Sequence, residues 1–235
     1  MHPVCIGHRW ILRELSASAI TGGASLLSTY SFISFNIHPM QDYLDQAAKN
    51  GVVILPNGRC QCCGADYERG IAECIDTFNS IELVQAQTIE NLPARFLRVD
   101  AHALQHPEIH GRWSNHFHLT RLHLILKKNI VWNYKLSPLL SNHINAYKLT
   151  RPDEYLIPPP PLRRGNITSL DILKASQSDE YKELIFAWSN EVYEAWNAGA
   201  GVAEDLARSF LQNRFREITT LNKNRRHHSY GRKLR

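Results

Sequence analysis

None of the loops from which a reaction is commonly read occurs in these 235 residues: there is no nucleophile elbow, no phosphate loop and no Gly-x-Gly-x-x-Gly dinucleotide fingerprint. No internal repeat is present either. An uninterrupted run of about twenty strongly apolar residues is also missing. The most apolar stretch, Ala17 to Ile37, is laced with Ser and Thr and carries Gly22-Gly23. It therefore favours neither a membrane span nor a signal peptide. Cysteines number only five, an odd count with three crowded together. That pattern makes a poor disulfide ladder and fits a reducing compartment, so the expected location is the cytoplasm.

Acidic residues are nearly absent from one end of the chain. From residue 214 onward, Arg214, Arg216, Lys223, Arg225, Arg226, Arg232, Lys233 and Arg235 stand against Glu217 alone. The formal charge of +5 belongs to this tail, and the body is close to neutral. Basic residues interleaved with His and Tyr230 suit phosphate contact and base stacking, so nucleic acid is one candidate partner through residues 221–235. A solvated tail with no partner is the plainer alternative.

What is present is concentrated at Arg59-Cys60-Gln61-Cys62-Cys63-Gly64 and the later Cys74. Zinc is held by groups that shed a proton and converge on a tetrahedral centre, and a Cys-x-x-Cys turn points two sulfurs inward. Cys60 and Cys63 have that spacing, and Gly64 supplies the positive φ with which such a turn ends. Val52-Val53-Ile54-Leu55 followed by Pro56-Asn57-Gly58 predicts a β-hairpin feeding the turn, a zinc knuckle over 52–66. Cys62, between the pair, is read as pointing away from the metal. Cys74 opens a helix and is either a third ligand or a buried core thiol. A redox dithiol is the competing reading of Cys60/Cys63, but such a motif should open a helix within a βαβ unit.

Elsewhere the pattern is helical. Met40 to Gly51 reads as a short helix with Gly51 as its stop. Residues 68–87 carry Ile71, Cys74, Ile75, Phe78 and Ile81 on one face, and Ala94 to His106 forms a second piece ended by Pro107. Ser114 to Lys128 is a third helix, with Ser114 as its expected N-cap. Leu136 to Leu162 loses periodicity, and Pro158 to Pro161 reads as an extended surface strap. Thr168 to Leu173, Asp179 to Trp196 and Val202 to about Thr220 complete the set. The expected fold is mainly α, a helical bundle with a small N-terminal β-hairpin and zinc knuckle. Residues 40–220 form its single domain, residues 1–39 either a loosely attached extension or residues upstream of a physiological start at Met40, and 221–235 the tail.

Val99-Asp100-Ala101-His102-Ala103-Leu104-Gln105-His106-Pro107 is similar to the Val-Asp-Ala-Tyr-Ala-Leu-Gln-His-Pro signature of an uncharacterised bacterial domain-of-unknown-function family. Cys60-x-x-Cys63-Gly64, Cys74 and His118-Leu119 resemble its other elements. The resemblance spans about Cys60 to Trp196. It implies a small, mostly helical protein with a zinc site and implies no activity. The tyrosine of the signature is His102 here, and Arg95 stands where that family usually has a histidine.

Two histidines compete for the remaining ligand position, His106 and His118. With Asp100 they also compose an Asp/His/His set between two helices, able to hold zinc, iron or manganese. A buried hydrogen-bond network is the alternative use of the same three residues. His116 and His123 are read as surface residues. The leading functional reading is a zinc-stabilised module that binds a protein partner, with structural zinc on Cys60, Cys63 and Cys74. The alternatives are a metal-dependent enzyme using Asp100, His106 and His118, and a nucleic-acid binder acting through the tail.

Overall fold

In the computed structural model the described residues are 40–85, 92–154, 156–176, 180–197 and 200–214. The extension over 1–39, the basic tail and the fifth cysteine, Cys5, lie outside them. The described chain is mainly helical. In order come α1 (Met40–Lys49), α2 (Gly70–Gln85), α3 (Leu92–Gln105), a 3-10 turn (Pro107–Ile109), α4 (Arg112–Leu126), α5 (Leu136–Thr150), α6 (Ser169–Ala175), α7 (Tyr181–Ala195) and α8 (201–214). No described helix is long and apolar enough to cross a membrane.

α3 is the helix against which the others are arranged, packing most extensively on α7 and α4. The sequence shows why: Leu97, Ala101 and Leu104 recur at helical spacing, and they meet Ile185, Trp188 and Val192 of α7 and Leu119 and Leu122 of α4 in the main core. Trp196 caps this contact and donates its indole N–H to the Leu104 carbonyl at 2.9 Å. α5 and α8 form a second core with Phe96 and Leu124, built on Leu140, Ile144, Leu206 and Phe210. A third core, around Cys60, Cys63, Cys74, Ile71 and Ile109, lies where α2 and the 3-10 turn meet the cysteine turn.

Two expectations are corrected. α5 departs from the expectation that 136–162 lacks helical periodicity. Pro138 falls in the first helical turn, where its missing N–H has no intrahelical partner to lose. The β-hairpin over 52–61 is also not formed, and no strand occurs among the described residues. The turn takes its backbone partners from the other side. Gly58 N–H bonds to the Glu68 carbonyl at 2.7 Å in one isolated parallel bridge between Gly58 and Arg69, and Leu55 N–H goes to the Gln61 side chain at 2.7 Å. Val53 and Leu55 are left exposed.

Helix ends follow the local chemistry. α1 stops in a Schellman arrangement in which Val52 N–H reaches the Ala47 carbonyl, Gly51 N–H reaches the Ala48 carbonyl, and Gly51 sits at φ +75°. Asn50 then donates to the carbonyls of Glu108 and His110, at 2.8 and 3.0 Å, pinning α1 to the 3-10 turn. Ser114 is not the N-cap of α4; Gly111 is. α6 begins with a capping box between Thr168 and Asp171.

The proline strap is tied down by one side chain. Arg164, buried to 2% exposure, pairs with Glu108 through Nη1 to Oε2 at 2.8 Å and Nη2 to Oε1 at 2.7 Å. It also donates to the Gln105 carbonyl at 3.0 Å and to the Pro159 carbonyl from both Nε and Nη2. Replacing only one partner of such a buried pair strands the other charge, at about 3–5 kcal/mol. Arg164→Ala is therefore expected to cost about 3–5 kcal/mol in urea unfolding. A loss below about 1 kcal/mol, the value of an exposed pair, would show that the strap is not held this way.

Candidate metal centre

Three segments deliver the candidate ligands. The turn 60–64 supplies Cys60 and Cys63, closed by Gly64 N–H to the Cys60 carbonyl at 2.8 Å and by Cys60 N–H to the Ala65 carbonyl at 2.9 Å. Gly64 has φ +84°, and a side chain there would also run into Leu162 of the strap, whose Cδ2 lies 2.6 Å from an ideal Cβ. Cys74 comes from the first turn and a half of α2. His106 comes from the residue that ends α3, just before Pro107 breaks the helix.

One ligand atom from each of Cys60, Cys63, Cys74 and His106 lies within 4.8 Å of every other, and all four residues are buried. Cys63 Sγ is 3.7 Å from Cys74 Sγ, and His106 Nε2 is 3.5 Å from Cys60 Sγ and 3.3 Å from Cys74 Sγ. A tetrahedral zinc, with Zn–S of about 2.3 Å and Zn–N of about 2.0–2.1 Å, sets its sulfurs roughly 3.8 Å apart and sulfur and nitrogen roughly 3.5 Å apart. The spacing fits a metal ion. The described cysteines are all free, so no disulfide competes for the sulfurs.

The histidine is oriented for this role. His106 Nδ1 lies 2.7 Å from the His102 carbonyl, so Nδ1 carries the proton and Nε2 turns its lone pair to the sulfurs. Its ring stacks on His102 at 4.2 Å between centroids, and His102 in turn stacks on Phe78 at 4.1 Å. Ser169 Oγ is 3.4 Å from Cys74 Sγ and 3.2 Å from the Tyr67 hydroxyl.

Charge is shared unequally among the sulfurs. Hydrogen bonds from the thiols of Cys62, Cys63 and Cys74 hold Cys60 far below the ordinary thiol range, against the effect of burial. Cys74 is pushed up, by its hydrogen bonds to Cys60 and Cys63 and then by burial. At His106 burial is the largest influence and opposes protonation. The charge of the Cys63 sulfur and the hydrogen bonds to Cys60 and Cys63 together outweigh it, and the net shift is upward. A metal cation entering this set displaces protons from both thiol and imidazole.

Asp100 and His118 are elsewhere. The buried Asp100 carboxylate takes Arg121 Nε at 3.1 and 2.8 Å, Arg121 Nη2 at 2.6 Å and His118 Nδ1 at 2.7 Å. The Arg121 guanidinium sits over the rings of Phe117 and Phe96, at 4.8 and 5.2 Å. A carboxylate so committed has little left to offer a metal. Of the expected set, the structure brings Cys60, Cys63, Cys74 and His106 together and places Asp100 and His118 in this separate network. His116 and His123 are buried, contrary to expectation. His116 Nδ1 bonds to the Arg112 carbonyl at 3.0 Å and His123 Nδ1 to the Tyr193 hydroxyl at 2.7 Å.

Sequence reasoning did not find Ser169, Tyr67 or the stacking role of His102. Only the last had a signal, since His102 stands four residues before His106 on one helix face. Cys62 is buried and lies outside the four-residue cluster.

Residues 58–197 match the family described as a family of unknown function, DUF5946. No curated protein and no solved structure matches the chain.

Because protons compete with the metal at Cys and His106, metal affinity should rise with pH and fall as the solution is acidified, with protons released on uptake. A pH-independent affinity would contradict the site. Ser169→Ala, which removes the hydroxyl on Cys74, is expected to weaken metal binding by about tenfold or more in a chelator competition.

Proposed function

The chain belongs to this family of unknown function, and we propose that it is a zinc-stabilised helical module whose metal is structural and which binds a protein partner. The observation that carries the proposal is the closed donor set. Three thiolates and one imidazole, all buried, occupy the four positions of a tetrahedral centre and leave none for water or substrate. Thiolate-rich tetrahedral sites select zinc over the harder cations. A catalytic zinc keeps one position open, so the enzyme reading through Asp100, His106 and His118 loses support on two grounds. His106 is engaged with the sulfurs, and Asp100 is engaged with Arg121.

In this reading the metal acts as a cross-link. It ties the turn 58–66, which has no ladder or helix of its own, to α2 and to the end of α3. The surface beside it supports the binding role. Val53, Leu55 and Leu162 expose apolar side chains there, at 83%, 56% and 51%. The residues named hold and orient the metal, and the chemistry supplied by the ion is thiolate-metal bonding that stabilises the fold.

Elemental analysis of the purified, reduced chain should find about one zinc per chain, and Cys60→Ser with Cys63→Ser should lose it. Chelation should lower the melting temperature, because binding energy at such a site is folding energy. A folded, reduced chain without stoichiometric metal overturns the proposal. Nucleic acid is the other partner class. Binding to a single strand that falls steeply with salt, and vanishes on deletion of Asn222 to Arg235, would replace the protein partner with that one.

A further inference from the structure

We propose that the proline strap is a docking ligand, read by a partner domain of the SH3 type, whose groove is lined with aromatic side chains and carries an acidic group beside them. The proposal deepens the protein-partner reading and rests on it, but it does not depend on the metal.

Four consecutive prolines, Pro158 to Pro161, leave the backbone little choice. Each ring holds its own φ at about −65°, and each residue that precedes a proline is driven out of the α region. The run from Ile157 into Pro161 therefore takes the polyproline conformation, with about three residues per turn. That repeat makes three ridges. Ile157 and Pro160 share one, Pro158 and Pro161 share the second, and Pro159 stands on the third.

Exposure divides along the same lines. Ile157, Pro158, Pro160 and Pro161 are exposed, whereas Pro159 is half-buried and its carbonyl takes the Arg164 Nε and Nη2. The strap thus spends one ridge on the body and turns the other two outward. Pro158 and Pro161 on the outer face have the Pro-x-x-Pro spacing that aromatic grooves accept. Proline has no N–H, so this face offers only carbonyl acceptors and apolar rings. Among the described residues nothing donates to the Pro158, Pro160 or Pro161 carbonyls. Their complement is a flat apolar side chain with a donor at its edge, which Trp and Tyr supply.

The strap is fixed at both ends. Leu156 is buried in the main core, and Arg164 is held by Glu108. A ligand already set in this form loses little conformational freedom on binding. Just after Pro161 the chain turns at Leu162, with φ +64°. Arg163 follows, exposed and without a hydrogen bond or ion pair to a described residue. A cation two residues beyond Pro161 with no acid of its own calls for a carboxylate on the partner.

The test uses the full chain, an array of purified SH3 domains and a synthetic peptide of residues 156–163. At least one domain should bind the full chain, and no more weakly than it binds the peptide, because the fold has already set the conformation. Pro158→Ala and Pro161→Ala should each weaken that binding by about fivefold or more. Arg163→Glu should weaken it by about tenfold or more. All three side chains are exposed, so helicity and metal content should stay as in the wild type. Displacement of the wild-type chain from the domain by excess peptide needs no variant, and it should be complete. The proposal is overturned if no domain binds, if the peptide binds and the full chain does not, or if binding survives all three substitutions. Zinc is measured on the same samples. A chain that binds through the strap without zinc defeats the metal reading alone, and a zinc-loaded chain that binds no domain defeats the strap alone.

Discussion

The Nδ1–H of His106, held by the His102 carbonyl at 2.7 Å, is the constraint on which the candidate metal centre depends. It fixes the tautomer and aims Nε2 at sulfurs that are 32 and 46 residues distant in the chain. The position is available only because the helix ends there. Pro107 cannot continue α3, and the chain turns into Pro107–Ile109, where Asn50 and Arg164 both take hold. The sequence His106-Pro107-Glu108 thus places a ligand, a helix stop and the carboxylate that anchors the proline strap side by side.

Two buried arginine–carboxylate pairs, one on α3 and one on the 3-10 turn that follows it, do different work. Arg121 on Asp100 closes α4 against α3, sandwiched between aromatic rings, and shares the carboxylate with His118. Arg164 on Glu108 instead fastens a segment that has no regular structure, and carries Leu162 onto the cysteine turn, where its N–H meets the Cys62 carbonyl at 3.4 Å. Burying charges of this kind is costly unless every donor finds an acceptor. The Arg164 guanidinium meets that condition with two carboxylate oxygens and two backbone carbonyls.

Much of this was legible in the residues, and the failures have physical causes. Cys-x-x-Cys-Gly announced the turn, because spacing and a positive-φ glycine are local properties. The helices of the main core were legible too, since Leu97, Ala101, Leu104, Ile185, Trp188 and Val192 repeat at the helical period. The choice between His106 and His118 was not legible, because only the non-local approach of Cys74 to the residue that follows α3 decides which histidine it meets. Glu108 and Arg164 are 56 residues apart and no local rule pairs them. The hairpin was expected from β-type residues and a Pro-Asn-Gly turn, but Gly58 found its partner at Glu68 instead, a non-local contact that outweighed propensity.

The account turns on which atoms would surround the proposed zinc, and X-ray absorption at the zinc edge of the purified protein reads them directly. It predicts a four-coordinate shell of three sulfurs at about 2.3 Å and one nitrogen at about 2.0–2.1 Å, with the outer-shell pattern of an imidazole. A shell of four sulfurs would put Cys62 in the place assigned to His106. A shell of nitrogen and oxygen would move the metal away from the cysteine turn altogether, and either result would contradict the centre described.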